Sequence, residues 1–124
     1  MDNFYLDYGK SNDISNIAFE LHNHDEYEIY MFLSGDSYYA VEGKKYSLEP
    51  YDMIIIRRHE MHRVFHRSNV PYSRIVLMVK PEFFVNNNCS EYERQFLSPE
   101  FGADNKISAD IVRDSGLYDA FMRV

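Results

Sequence analysis

Residues 22–50 read HNHDEYEIYMFLSGDSYYAVEGKKYSLEP, and this stretch decides the fold. Tyr27–Leu33 is rich in aromatic and branched residues and runs into Ser34-Gly35-Asp36, which predicts a strand followed by a turn. Ser37–Val41 predicts a second strand and Lys45–Leu48 a third. Because a short glycine-containing turn separates these last two segments, the pattern indicates an antiparallel hairpin.

Further strand patterns lie on both sides of this stretch. Met53–Ile56 is wholly apolar, which is typical of a strand buried on both faces. Arg63–His66 is short, Tyr72–Val79 is long, and Ile17–His22 precedes the hairpin. Several short strands at close spacing predict an all-β sandwich or barrel.

Helical patterns begin only after the strands. Helix-start signals occur at Ser90–Glu93 and at Ser98–Glu100, and Ser108–Val124 has helical periodicity weakened by Gly116. We therefore divide the chain into a barrel at residues 1–80 and a helical extension at 81–124. We expect the last helix to continue in a longer parent protein.

Composition limits the classes of function. The 124 residues fit one domain, and 45% hydrophobic with 16% aromatic residues can form a core. A net charge of −7 disfavours nucleic-acid binding, which needs clustered cations. The densest basic stretch spans 57–67, and we expect its arginines, with His59 and His66, at a solvent-exposed strand end and loop.

The compartment is predicted from what the sequence lacks. One cysteine cannot form an intrachain disulfide, which fits a reducing cytoplasm. The first residues do not have the pattern of a signal peptide, and the apolar runs are too short to cross a bilayer. These features predict a cytoplasmic protein without a membrane partner.

One cluster of residues carries chemistry. On a strand, His22, His24 and Glu28 point to the same face, so they can share a small ligand or an ion. Imidazole and carboxylate together suit zinc, nickel, iron or manganese, and a hairpin connection can bring His62 beside them. The alternative is a hydrogen-bonded, metal-free set at a barrel mouth.

Three more residues are candidates for the cavity or its core. Tyr30 and Phe32 share the parity of Glu28; we expect Phe32 in ordinary packing and Tyr30 with a partner for its hydroxyl. Arg74, in the middle of an apolar strand, either clamps an acidic or hydroxylated ligand or faces solvent.

The spacing His-x-His-x3-Glu-x6-Gly, formed by His22, His24, Glu28 and Gly35, resembles the first cupin motif. The segment from Gly43 to His62 resembles the second. This resemblance implies a cupin-type double-stranded β-helix, or jelly-roll barrel, with three His and one Glu directed inside. Tyr51 stands where the family usually has glycine, so we expect a local difference in that turn.

Within the cupins, residues 15–83 resemble the N-terminal domain of AraC-type transcription regulators. That resemblance implies a non-enzymatic domain that binds a small-molecule effector, often a sugar or related metabolite, in the barrel. It also implies a homodimer, and DNA binding only through a C-terminal helix-turn-helix domain that this chain does not contain.

The same residues are also compatible with two other functions. Three His and one Glu also suit a metal-dependent cupin enzyme, such as a dioxygenase or sugar isomerase, because an ion with open coordination positions can polarise a carbonyl or bind oxygen. The other alternative is a cupin-fold storage or interaction module with an empty barrel.

Overall fold

The computed structural model describes residues 4–11 by their backbone, and residues 25–82 and 104–123. Two antiparallel sheets and two short helices make up this part of the chain. The elements are β1 (Phe4–Ser11), β2 (Tyr27–Ser34), β3 (Ser37–Val41), β4 (Lys44–Ser47), β5 (Met53–Ile56), β6 (His62–His66), β7 (Tyr72–Val79), β8 (Lys106–Ile107), α1 (Ala109–Asp114) and α2 (Leu117–Met122).

The large sheet has five strands in the order β1-β7-β2-β5-β8, and the small sheet has three in the order β4-β3-β6. Every neighbouring pair is antiparallel. Aromatic and branched side chains from both sheets meet in one core, so the sheets face each other. The predicted all-β fold with short C-terminal helices is confirmed.

The large sheet is covered on both faces, because successive residues of a strand point in opposite directions. On β2, Tyr30 and Phe32 point between the sheets, into the barrel interior. Tyr27 and Met31 point the other way, into a second core that includes Val112 of α1 and Phe121 of α2. The two helices therefore cap the outer face of the large sheet.

Most strand predictions agree with the structure. Ser37–Val41, Met53–Ile56 and Tyr72–Val79 have the predicted bounds, and the hairpin return strand is shifted by one residue to Lys44–Ser47. β1 and β8 were not predicted from the sequence. β8 is only two residues long, so it has too few side chains for a periodic pattern.

The helix predicted over Ser108–Val124 is interrupted. Ser115 ends α1, and Gly116 has a φ of 79°, a left-handed conformation that a glycine adopts without strain. Two short helices result. The strand predicted at Ile17–His22 and the helix starts predicted at 90–100 lie outside the described residues. In the described part of the chain, no helix is long and apolar enough to span a bilayer.

Asp52 joins the helices to the barrel. Its Oδ1 accepts the backbone N–H of Ala109 at 2.7 Å, at the start of α1. Its Oδ2 accepts the backbone N–H of Glu49 at 2.8 Å and lies 3.3 Å from Lys106 Nζ. This carboxylate is 2% exposed, so it holds the β4–β5 turn, β8 and α1 in one place.

The turn before Asp52 contains the departure from the cupin pattern. Tyr51 has a φ of 74°, in the left-handed region that a bulky side chain rarely adopts. Its ring lies edge-on to Tyr118 of α2, with centroids 5.3 Å apart. Tyr51 therefore adopts a backbone conformation that only glycine adopts without strain. Its ring packs against α2.

We expect Asp52→Ala to lower the free energy of unfolding by about 1–2 kcal/mol, because it removes a helix-capping acceptor and the anchor of a turn together. Urea denaturation followed by circular dichroism measures the change. Asp110→Ala is the matched control, since that side chain is 82% exposed. Equal effects from the two variants would contradict the structural role of Asp52.

Candidate functional site

The barrel interior contains polar groups from four strands, which alternation directs to the same side as the apolar core. Both sheets contribute. These residues are Glu28 and Tyr30 on β2, Tyr39 on β3, His62 and His66 on β6, and Tyr72 and Arg74 on β7.

At one end of the interior, Glu28 faces His62. The distance from Glu28 Oε1 to His62 Nε2 is 3.5 Å, and the residues are 6% and 0% exposed. His62 Nδ1 lies 2.7 Å from the carbonyl oxygen of Glu60. Because a carbonyl only accepts, Nδ1 carries a proton, and Nε2 faces the carboxylate either with a second proton or with its lone pair.

Tyr39 extends this pair towards the middle of the barrel. Its hydroxyl donates to Glu28 Oε2 at 3.5 Å, and its ring is stacked with that of His62 at a centroid distance of 6.2 Å. Burial, and then the charge of Glu28, raise the pKa of Tyr39 well above its usual value. The phenol therefore keeps its proton and acts as a donor to the carboxylate.

A tyrosine pair occupies the centre. The hydroxyls of Tyr30 and Tyr72 lie 2.6 Å apart, and both residues are nearly fully buried. Burial is the main cause that raises the pKa of Tyr30, and it raises the pKa of Tyr72 to about 12. The buried Tyr30 was expected to need a partner for its hydroxyl, and Tyr72 is that partner. Phe32 was expected in ordinary core packing, and it is 1% exposed.

Arg74 lies at the other end of the interior. It pairs across the sheet with Phe32, so both side chains share the interior face. Its guanidinium carbon is 5.9 Å from the ring centre of Tyr72, and the side chain is half-buried. From the sequence, the Arg74 side chain was expected to face either a ligand in the cavity or solvent, and in the structure it points towards the cavity.

The surface position expected for His66 is wrong. Alternation along β6 turns it inward, where its Nδ1 is 2.7 Å from Ser37 Oγ and its ring lies edge-on to Tyr72 at 4.4 Å. Burial lowers the pKa of His66. His59 does lie at the surface, beside Asp25 at 3.2 Å.

The solvent-exposed position expected for Arg57 is also wrong. Arg57 is 8% exposed, and its Nη1 lies 3.2 Å from Oε2 of the fully buried Glu60. Asn105, next to β8, donates to Glu60 Oε1 at 3.1 Å and to the Ile55 carbonyl at 2.7 Å. A buried acid therefore holds the β5–β6 turn and the start of the C-terminal segment together.

The structure brings together two of the four predicted metal ligands. Glu28 and His62 face each other, whereas His22 and His24 lie outside the described residues. Among the residues described, no group of three or more His, Cys, Asp or Glu side chains has metal-binding geometry. The donor chemistry fits a divalent ion at this half of the site, because an Nδ1–H donated to a carbonyl orients Nε2 as a ligand.

The family of this chain follows from its match to a known family model. Residues 7–124 match the family model of the AraC-like ligand binding domain. The chain belongs to this family. The resemblance seen in residues 15–83 is therefore confirmed and extends over nearly the whole sequence. A search of curated protein sequences finds no match.

Solved structures similar to this AraC-like domain include several cupins. A cupin-2 domain from Rhodospirillum rubrum has a TM-score of 0.53 at 17% identity and covers 62% of this chain, which spans only 51% of that protein. A cupin protein from Bacteroides fragilis has a TM-score of 0.55 at 22% identity, covering 64% and 68% of the two chains. Salicylate 1,2-dioxygenase from Pseudoaminobacter salicylatoxidans gives 0.55 at 12% identity, covering 70% and 25%. These similarities confirm the predicted cupin barrel.

Sequence reasoning missed several interior residues of the AraC-like domain. Tyr39 and Tyr72 alternate in phase with apolar interior positions, so strand parity was the available signal for both. Glu60 lies in a turn, where no periodicity marks burial. Its partner Asn105 is 45 positions away, and only the folded chain brings the two together.

The raised pKa values predict a loss of stability in alkali. The unfolded chain ionises tyrosine near pH 10, whereas folded Tyr72 keeps its proton up to about pH 12. Its stabilising contribution is therefore complete below pH 10 and is lost as the pH rises towards 12. We expect the urea midpoint to fall over this range, and to fall less in Tyr72→Phe. An equal fall in both proteins would contradict the assignment.

Proposed function

We propose that this domain senses a small polar metabolite inside the barrel and serves as the effector-binding part of an AraC-type transcription regulator. The observation that carries the proposal is the row of interior polar groups from Glu28 and His62, through the Tyr30–Tyr72 pair, to Arg74. Membership of the AraC-like ligand binding domain family supports it.

The energetics of burial favour a ligand-binding role for this row. A carboxylate, an imidazole and a guanidinium on an interior face lose hydration, and apolar residues of similar volume often stabilise a fold as well or better. A purely structural core therefore gains little from Glu28 and His62. A polar ligand adds hydrogen bonds and charge contacts to those that these groups already make within the protein, which further offsets the lost hydration.

The chemistry of the row favours a hydroxylated or acidic effector, such as a sugar or a related metabolite. Arg74 presents a planar fork of donors that matches a carboxylate or a pair of hydroxyls. The phenols of Tyr30 and Tyr72 each donate and accept, as hydroxyl recognition requires. Tyrosine rings beside them provide apolar faces for the carbon skeleton of the ligand.

The contacts of the C-terminal segment support a route for signalling. β8 pairs with β5, whose Ile54 and Ile56 side chains line the interior. Asn105 bonds Glu60, and the Glu60 carbonyl holds His62. An effector that displaces the His62 ring therefore acts on a residue bonded to the start of β8 and α1, and shifts the balance between arrangements of this segment.

The remaining parts of the proposal concern partners. We propose a cytoplasmic homodimer in which the extension at 81–124 carries dimer contacts, and in which DNA is bound by a helix-turn-helix domain of the parent protein. The acidic charge of −7 supports a division of labour in which this domain itself does not contact DNA. In this proposal the domain performs no catalysis.

The test is a thermal-shift screen with monosaccharides and small carboxylates. A true effector binds only the folded state, so at a hundred times its Kd it raises the free energy of unfolding by about 2.7 kcal/mol. The melting temperature rises with it. We expect Arg74→Gln to raise Kd about tenfold, the value of one charge-assisted hydrogen bond. Lys80→Gln, which removes the same charge just after β7, is the control. Binding that is unchanged in Arg74→Gln would exclude the barrel as the site.

The geometry of His62 favours a second candidate, a metal-dependent cupin enzyme of the dioxygenase or sugar isomerase type. The bond from Nδ1 to Glu60 orients Nε2 towards Glu28, as in a metal-ligating histidine. In this proposal His22, His24, Glu28 and His62 hold zinc, nickel, iron or manganese, which would polarise a substrate carbonyl. Glu28 and His62 would orient the ion. Tyr39 would keep its proton and donate a hydrogen bond to Glu28.

Elemental analysis of the purified protein tests this candidate. We expect near-stoichiometric metal if it is correct, and at least about tenfold weaker metal binding in His62→Gln, because the loss of one ligand lowers affinity sharply. His59→Gln is the control, since that histidine is exposed and outside the barrel. If both the unsubstituted protein and His62→Gln contained only trace metal, the enzyme candidate would be excluded and effector binding would be the proposed function that is left.

A further inference from the structure

The outer face of the small sheet carries a cluster that neither proposed function uses. Alternation turns Tyr38 on β3, Lys45 on β4, and Arg63 and Phe65 on β6 away from the barrel. Arg67 follows on the same side of the chain. We call these five residues the basic sheet face. They include two of the four arginines of the basic stretch.

Aromatic rings hold the cations of the basic sheet face in position. Tyr38 and Phe65 pair across the strands with parallel rings, 4.9 Å apart at the centroids. Arg67 and Lys45 lie over the Tyr38 ring, at 4.9 and 5.5 Å from its centre. Arg63 lies 4.4 Å from the centre of Phe65. Such contacts fix the charges without neutralising them.

The charge of this face is largely uncompensated. Among the described residues, no carboxylate lies within 4 Å of Lys45 or Arg63, whereas Arg67 has Asp36 at 3.9 Å. Arg57 and Arg58, in the same basic stretch, are each paired with an acid. The excess of cations is therefore local, because the chain as a whole has a charge of −7.

Arg63 gives a second, independent sign of a ligand. Its Nε is buried and has no hydrogen-bond acceptor in the described part of the chain. A buried donor without an acceptor is costly, and native structures usually satisfy such groups. An anion that reaches the guanidinium would supply the acceptor.

We propose that the basic sheet face binds the phosphate group of a small phosphorylated metabolite, at a site separate from the barrel interior. Two or three fixed cations match a single phosphate group, which has a charge of −1.5 to −2 at neutral pH. They are fewer than the roughly 6–10 phosphate contacts that give a nucleic-acid interface a steep salt dependence. The overall negative charge of the chain also opposes a polyanion more than a single phosphate.

The test uses inorganic phosphate and nuclear magnetic resonance of the arginine Nε–H groups. We expect phosphate to shift the Arg63 signal in a saturable way, at constant ionic strength. Lys45→Gln, followed by the Arg63 signal, and Arg63→Gln, followed by the Arg67 signal, should each weaken the binding about tenfold, as the loss of one charged contact predicts. Lys44→Gln is the matched control, because Lys44 lies over Tyr46 on the other face of β4.

Three results would overturn the proposal. A shift reproduced by chloride would show ionic screening only. Equal weakening in Lys44→Gln would show a general effect of charge. A short DNA duplex that binds at lower concentration than phosphate, with a steep salt dependence, would assign the face to nucleic acid. Lys45 is exposed, so its variant separates binding from folding, and effector binding in the barrel should be the same in all these variants.

Discussion

The burial of Glu28 opposite His62 is the interaction on which the arrangement of the barrel depends. Two groups that are fully hydrated in water lie 3.5 Å apart, and both are buried in the barrel interior. The Glu60 carbonyl fixes the imidazole from behind, and Tyr39 donates to the carboxylate. Because a buried charge without compensation costs several kcal/mol, each of these surrounding contacts is required by the pair itself.

The aromatic interior follows from that requirement. Tyrosine combines a large apolar body with one hydroxyl, so it fills the space between the sheets and still reaches a polar partner. Tyr39 contacts Glu28, and the Tyr30–Tyr72 pair continues the polar row towards Arg74. Leucine or phenylalanine at these positions would fill the same space but leave the two ends of the row isolated from each other.

The strands β2 to β7 and the inward-facing residues of β2 were predictable from the sequence, because alternation and turn signals are local; β1 and β8 were not predicted. The partnership of Glu28 with His62, which are 34 residues apart, was predicted from strand alternation and an expected hairpin connection, and the cupin resemblance implied the same pair. Buried turn residues were not predictable in this way: Glu60 and Arg57 have the composition of an exposed turn. Glu60 accepts a hydrogen bond from Asn105, which comes from a segment far along the chain, and Arg57 pairs with Glu60.

His66 shows the same limit on a strand. Its parity with His62 pointed inward, but the high local charge of the basic stretch favoured the surface. The structure divides that stretch between two faces, with His62 and His66 inside the barrel and Arg63 and Phe65 outside. When a basic stretch forms a strand, alternate residues lie on opposite faces, so the charge of each face has to be considered separately.

The position of β8 determines how a signal from the barrel would reach the helices. β5 lies between β2 and β8, so one strand contributes to both the interior lining and the attachment of the C-terminal segment. A tenfold change in a two-state equilibrium requires only about 1.4 kcal/mol, close to the value of one hydrogen bond. The Asn105–Glu60 hydrogen bond is one contact of this kind, and it lies between His62 and α1. A proposed effector therefore needs to strengthen or weaken only this contact, and no larger rearrangement of the sheets is required.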